Sequence, residues 1–259
     1  MPLIIAHRGA SAYAPENTFA AFQRAIEAGA DGIELDVRLA KDGVAVVFHD
    51  SGLKRTAGRK GKIAHFTSTE LSTVDAGSWF NRQHRKLADP SYDNERVRTL
   101  AETLDFLKDF KGLIYIELKC KEADAERLSR AVCHVICGSP LLKQIVVKSF
   151  KLNVIPHIKA MCPKARTAAL FAPKVKNILR KDKHLLDLAT EVGADEISLH
   201  FTLATRKLMK KAARRNLRVI IWTADNPRWI RRGLKLGLSA IITNDPARLL
   251  AKRQELLEA

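Results

Sequence analysis

From residue 99 onward the chain alternates helical runs with short, continuously apolar ones. Apolar residues at helical spacing mark 99–110, 122–137, 151–161, 177–192, 203–216 and 227–236, and a last helix closes the chain. Between them stand LIYIELK (113–119), QIVVKSF (144–150), ARTAALF (165–171), EISLHF (196–201), RVIIWTAD (218–225) and AIITND (240–245). An apolar run without alternation is a strand buried on both faces, as in a parallel sheet covered by helices. LIIAHRG (3–9) and GIELDV (32–37) read the same way, giving eight parallel strands starting at 3, 32, 113, 144, 165, 196, 218 and 240. Three echoes, EAGADGIELD (27–36), EVGADEISLH (191–200) and KLGLSAIITN (235–244), place a helix-ending glycine just before a strand. Eight such strands in 259 residues predict an α/β fold, a closed (β/α)8 TIM barrel, with an open doubly wound sheet as the alternative.

Residues 44–50 (VAVVFHD) are a ninth run, directly after Asp42-Gly43, a dipeptide suited to a two-residue hairpin turn. That turn sets Lys41 opposite Val44 and therefore Asp36 opposite His49. Residues 51–98 fit no strand–helix unit: they are polar and basic, with scattered Phe66, Trp79, Phe80 and Tyr92. They are expected to form a small subdomain inserted over the barrel mouth, within a single domain spanning 1–259.

The net charge of +17 is spread along the whole chain. Solvated helix faces explain most of it: in 203–216, Ala204, Leu208 and Ala212 are expected to point inward and the six basic residues outward. Attraction of an anionic substrate, acidic lipid or nucleic acid is the functional alternative. No uncharged run approaches the length of a membrane span, and no charged leader precedes Leu3, so neither anchor nor signal peptide is expected. Cys120, Cys133, Cys137 and Cys162 form no CxxC pair and read as reduced thiols packed in a cytoplasmic protein.

The chemistry gathers at strand ends. Glu34 and Asp36 are two apart on one strand, so both point to one face. Two carboxylates this close repel unless a cation or proton lies between them. Glu117 ends another strand, which favours one hard divalent cation held by Glu34, Asp36 and Glu117 over a set of plain ion pairs. Lys119 shares the face of Glu117 and offers a point charge to a phosphate oxygen. His7 and His49 converge on the acidic cluster as an acid/base pair, although a lone histidine is more often structural. Arg8 can grip a phosphate bidentately or form a strand-end salt bridge, and Gly9 allows close backbone approach or a plain turn. Two histidines, three carboxylates, an arginine and a lysine together point to hydrolysis of a phosphodiester.

Pro15-Glu16-Asn17-Thr18 opens a helix; Asn17 or Thr18 caps it, and Glu16 either favours the helix N-terminus or meets Arg8 or a substrate hydroxyl. Asp50 orients His49 or caps the loop. Trp222 ends its strand and is expected to line the mouth, packing on an apolar substrate stem or simply on the barrel top. Trp79, Trp229, His65, His84, His134, His157 and His184 carry packing or surface roles.

The run HRGASAYAPENTFAAFQRAIEAGADGIELDVRLAKDGVAVVFHD strongly resembles the glycerophosphodiester phosphodiesterase family, and the later ELK, SF, WT and IITNDP segments follow in that family's order. The resemblance covers nearly the whole chain. It implies a barrel with a small insertion, His7 and His49 as the acid/base pair, and Glu34, Asp36 and Glu117 as metal positions. It implies phosphate contacts from Arg8 and Lys119, and hydrolysis of glycerophosphodiesters to glycerol 3-phosphate and an alcohol. The implied cofactor is Mg²⁺ or Ca²⁺, with Mn²⁺ a further candidate. Arg98, Lys148 and Asp225 depart from it, standing where proline, a small residue and asparagine are more usual.

The expected partner is thus a small anionic glycerophosphodiester, with no nucleic acid and no stable membrane anchor, for a monomer or homodimer. A lysolipid hydrolase of the phospholipase D type would use the same site, but no amphipathic anchor with clustered aromatics is seen. A glycosidase needs carboxylates flanking the bond from two sides, which Glu34 and Asp36 on one strand do not provide. An acidic central cluster suits a nucleic-acid binder poorly.

Overall fold

The computed structural model describes residues 1–173 and 182–258. Its strands are β1 Leu3–His7, β2 Gly32–Leu39, β3 Ala45–Val47, β4 Leu113–Leu118, β5 Ile145–Ser149, β6 Arg166–Phe171, β7 Glu196–His200, β8 Arg218–Trp222 and β9 Ala240–Thr243. All but β3 are parallel, and β1 pairs with β2 on one side and β9 on the other. The sheet therefore closes into the expected TIM barrel, and the open sheet is excluded.

Alternation along each strand explains why these runs are apolar throughout. Ile5, Tyr115, Val146, Ala168, Ile220, Ala240 and Ile242 fill the barrel interior. Their strand neighbours, such as Ile33, Leu35, Ile114 and Ile116 on one side and Ile4, Ile197, Val219 and Ile241 on the other, pack under the helices. Below the site, Tyr115 donates to buried Glu196 at 3.0 Å and Arg218 pairs with the same carboxylate at 2.6 Å. The interior is thus plugged, and only the C-terminal strand ends are free for chemistry.

The helix Arg206–Ala213, capped by Thr205, buries Leu208 and Ala212 and turns its basic residues outward, as expected. Ala204, just before it, is buried too. The helix is shorter than the sequence pattern because a 3₁₀ turn, Phe201–Leu203, occupies its start and Asn216 lies at φ 56° beyond its end. Of the expected helix 177–192, Asp182–Glu191 is helical; the earlier part lies outside the described residues.

The hairpin differs from expectation by one residue. Val37, Arg38 and Leu39 pair with Val47, Val46 and Ala45. The Ala40 amide donates to Val44 at 2.9 Å, leaving Lys41, Asp42 and Gly43 as a three-residue loop with Gly43 at φ 82°. A glycine in the left-handed region supports this longer loop. Asp36 therefore faces Phe48, whose amide donates to its carbonyl at 2.9 Å, not His49.

Residues 51–98 hold three short α-helices (Lys54–Ala57, Ser68–Leu71, Ser78–Gln83) and three 3₁₀ turns. Leu53, Ile63, Leu71 and Val74 form a small core with Val46 and Phe48.

Candidate active site

Strand register assembles the acidic cluster. Glu34 stands beside His7, Asp36 beside Glu117, and Glu117 beside Lys148 on neighbouring parallel strands. Aligned residues on parallel strands share a face, so all five point into the mouth. One oxygen from each of the buried Glu34, Asp36 and Glu117 lies within 4.8 Å of the others. Glu34 Oε1, Asp36 Oδ1 and Glu117 Oε1 accept no well-formed hydrogen bond.

Ammonium and guanidinium groups face them instead. Lys148 Nζ lies 2.9 Å from Glu34 and 3.5 Å from Glu117. Lys119 Nζ lies 2.5 Å from Glu117 and 3.2 Å from Asp36, and Arg8 Nε lies 3.1 Å from Asp36. Burial alone would raise both carboxyls; Lys148 for Glu34, and Lys119 and Arg8 for Asp36, hold them below the usual range. Burial likewise opposes the charge of Lys148, but Glu34 and Glu117 keep its pKa above the ordinary lysine value. Three convergent buried carboxylates, here faced by lysine ammonium groups, form an oxygen donor set that fits a hard divalent cation.

The two histidines are held through Nδ1. His7 Nδ1 lies 2.7 Å from Asn244 Oδ1. Because Asn244 Nδ2 donates to Asp225 at 2.8 Å, its oxygen faces the ring, and His7 carries the Nδ1 proton. His7 Nε2 then points at Glu34, 3.9 Å away. His49 Nδ1 lies 2.6 Å from Asp50 Oδ1. Burial pushes the His49 imidazole toward its neutral form; Asp36 opposes this, and Arg8 and Lys119 reinforce it. The register shift does not remove His49 from the site: its ring still feels the charges of Asp36, Arg8 and Lys119, while Arg38 Nε grips its carbonyl at 2.7 Å.

Glu16 meets Arg8 at 2.9 Å and takes Arg55 on both oxygens, at 2.6 and 2.8 Å. Arg55 also donates to Asp50 at 2.7 Å. Asp50 would be raised by burial, but its bonds with Arg55 and His49 lower it to about 2. One arginine of the inserted segment thereby ties the Arg8 side of the site to the His49 side. Thr18, not Asn17, caps the first helix by accepting from Ala21. Asn17, at φ 60°, donates to Asp36 Oδ2 at 2.9 Å and accepts from the Asp36 amide at 3.1 Å. Gly9 is required: a Cβ there would meet the Ala21 backbone at 2.5 Å.

Trp222 is half-buried at the mouth, with Phe150 and His200 each edge-on to it at 5.4 Å. The structure thus brings together His7, Arg8, Glu34, Asp36, Glu117 and Lys119, and places His49, Glu16 and Trp222 around them. Sequence reasoning missed Lys148, Arg55, Asn244 and His200, and the pairing of Asn17 with Asp36. Only Lys148 left a usable signal, since alternation in β5 puts it on the inward face of Val146.

A model of the glycerophosphoryl diester phosphodiesterase family matches residues 7–248. The chain belongs to that family. A glycerophosphodiester phosphodiesterase of Caldanaerobacter subterraneus is 32% identical over 248 residues, 96% of each chain. The solved structure of a glycerophosphodiester phosphodiesterase from Agrobacterium tumefaciens is 28% identical, with a TM-score of 0.77 and coverage of 97% of this chain and 100% of that one. An Oleispira antarctica phosphodiesterase, solved with its product sn-glycerol-3-phosphate, shares the fold at a TM-score of 0.85 and 24% identity, over 98% of this chain and 97% of that one. Among the described residues no helix is long and apolar enough to cross a membrane.

Proposed function

We propose that the protein hydrolyses glycerophosphodiesters to sn-glycerol 3-phosphate and an alcohol, with one divalent cation and two histidines. The observation that carries this is the meeting of three buried, convergent carboxylates with two histidines whose Nδ1 atoms are already engaged. Glu34, Asp36 and Glu117 would hold Mg²⁺, Ca²⁺ or Mn²⁺, which supplies Lewis-acid polarisation of a phosphoryl oxygen.

The chain's own groups do the rest. Arg8 and Lys119 offset phosphate charge. One histidine Nε2 takes a proton from the attacking oxygen, and the other gives one to the leaving alkoxide. Asn244 and Asp50 fix the rings for this. Glu16, with both oxygens on guanidinium groups, positions Arg8 more than it binds substrate. Trp222 and Phe150 pack on the apolar stem of the substrate. Residues 51–98 close one side of the mouth, a reading supported by the bonds from Arg55 to Glu16 and Asp50. Four free thiols favour the cytoplasm.

The test is release of free ethanolamine or choline by metal-depleted enzyme from glycerophosphoethanolamine, glycerophosphocholine and lysophosphatidylcholine, with glycerol 3-phosphate the co-product of the first two and lysophosphatidate that of the third, restoring Mg²⁺, Ca²⁺ or Mn²⁺ in turn. Activity on the soluble diesters that depends on added metal is expected. Full activity after EDTA treatment removes the metal assignment, and no release from any diester removes the function.

A further inference from the structure

Beside the catalytic site lies a cavity of about 410 Å³, a size in the range of small-molecule sites. It shares two walls with the site, Lys119 and Arg38, and Arg38 donates to the carbonyls of His49 at 2.7 Å and Lys119 at 3.2 Å. Its other basic walls come from separate elements: Lys41 from the hairpin loop, Lys62 from the inserted segment, and Lys121 and Arg127 after β4. The single carboxylate in the lining is Asp124, 3.9 Å from Arg127. Lys62 and Lys121 are exposed and make no ion pair among the described residues.

Six basic residues from the β2–β3 hairpin, the inserted segment and the chain after β4 line this one concave space against a single carboxylate, and like charges so gathered concentrate an anion. We infer that this cavity takes a second anionic group of the substrate, a phosphomonoester carried on the leaving alcohol. The inference rests on the phosphodiesterase reading. With the scissile phosphate at Lys119, part of the diester extends into the neighbouring space. A choline or ethanolamine head brings a positive charge there, whereas a phosphorylated polyol brings a negative one.

The experiment compares kcat/KM in two substrate pairs: glycerophosphoglycerol against its terminal phosphate ester, and glycerophosphoinositol against its 4-phosphate. The phosphorylated member of at least one pair is expected to be preferred by roughly tenfold or more at low salt, with the preference shrinking as salt rises. Which pair shows it distinguishes a chain alcohol from a ring alcohol. The double variant Lys62→Glu/Lys121→Glu, outside the catalytic machinery, should erase most of that preference and leave the unphosphorylated substrates within about twofold of the parent. Equal kcat/KM within both pairs overturns the inference, as does an equal loss on all four substrates in the variant. If no diester is cleaved at all, the phosphodiesterase reading itself has failed, a result distinct from cleavage without preference.

Discussion

Lys148 stands directly beside Glu117 across the β4–β5 ladder, and its ammonium lies between the carboxylates of Glu34 and Glu117. It is 2% exposed, so its charge is poorly screened by water. A resident cation at this place repels an incoming divalent ion and competes for its ligands. Lys148→Met keeps the side-chain length and removes the charge. The variant is expected to bind Mg²⁺ or Ca²⁺ roughly tenfold or more tightly by isothermal titration calorimetry. Unchanged or weaker binding by the folded variant would show that the lysine holds the ligands in place and does not compete with the metal.

Glu117→Gln should act in the opposite direction. It removes one of the three carboxylates, so divalent affinity falls. The fold should tolerate the change, because Lys119 retains Asp36 and Lys148 retains Glu34 as partners. The metal-free variant is therefore expected to melt within about 4 °C of the metal-free parent. A larger drop in a thermal melt would make Glu117 a structural counter-ion first.

Much of this site is legible in the sequence, because alternation is local. Glu34 with Asp36, and Glu117 with Lys119, share a face by spacing alone. What spacing cannot give is the alignment of one strand with the next, and that alignment brings Lys148 to Glu117. The hairpin register failed for a related reason. Asp42-Gly43 signals a turn, but the loop length depends on the conformation that Gly43 adopts. Arg55 was invisible because residues 51–98 are short helices and turns without periodicity, leaving no face to assign. Asn17 looked like a cap, and the neighbouring Thr18 took that place.

Arg55 supports a pH-dependent prediction. The Asp50 pKa is depressed to about 2 in the folded protein, and that of Glu16 is also lowered. A depressed carboxyl contributes stability that is complete above its unfolded pKa, near 4, and is lost as pH falls through the folded value. Arg55 is 42% exposed, so solvent screens the network, and Arg55→Met should cost about 1 kcal/mol at neutral pH. The gap between parent and variant should close as pH falls from about 4 toward about 2. Denaturant unfolding at stepped pH measures it, and a gap independent of pH would assign the loss to packing.

The two histidines make a sharper test. Both rings are held at Nδ1, His7 by a carboxamide and His49 by a carboxylate, so both are available to the substrate through Nε2. If one is the general acid, its value depends on the leaving group. A glycerol or ethanolamine alkoxide is strongly basic and needs a proton as the bond breaks. A p-nitrophenolate is weakly basic and hardly needs one. General acid–base groups contribute on the order of 100- to 10,000-fold to rate. His7→Ala and His49→Ala should both lose activity on that scale with an alkyl diester. Only the variant lacking the acid should recover when the leaving group is p-nitrophenolate, because the base is still needed to activate the nucleophile. Rates measured for both variants on both substrates, with chemistry limiting, check this. Equal losses on the two substrates in both variants would rule out the division of labour and leave the histidines as metal ligands or phosphate donors.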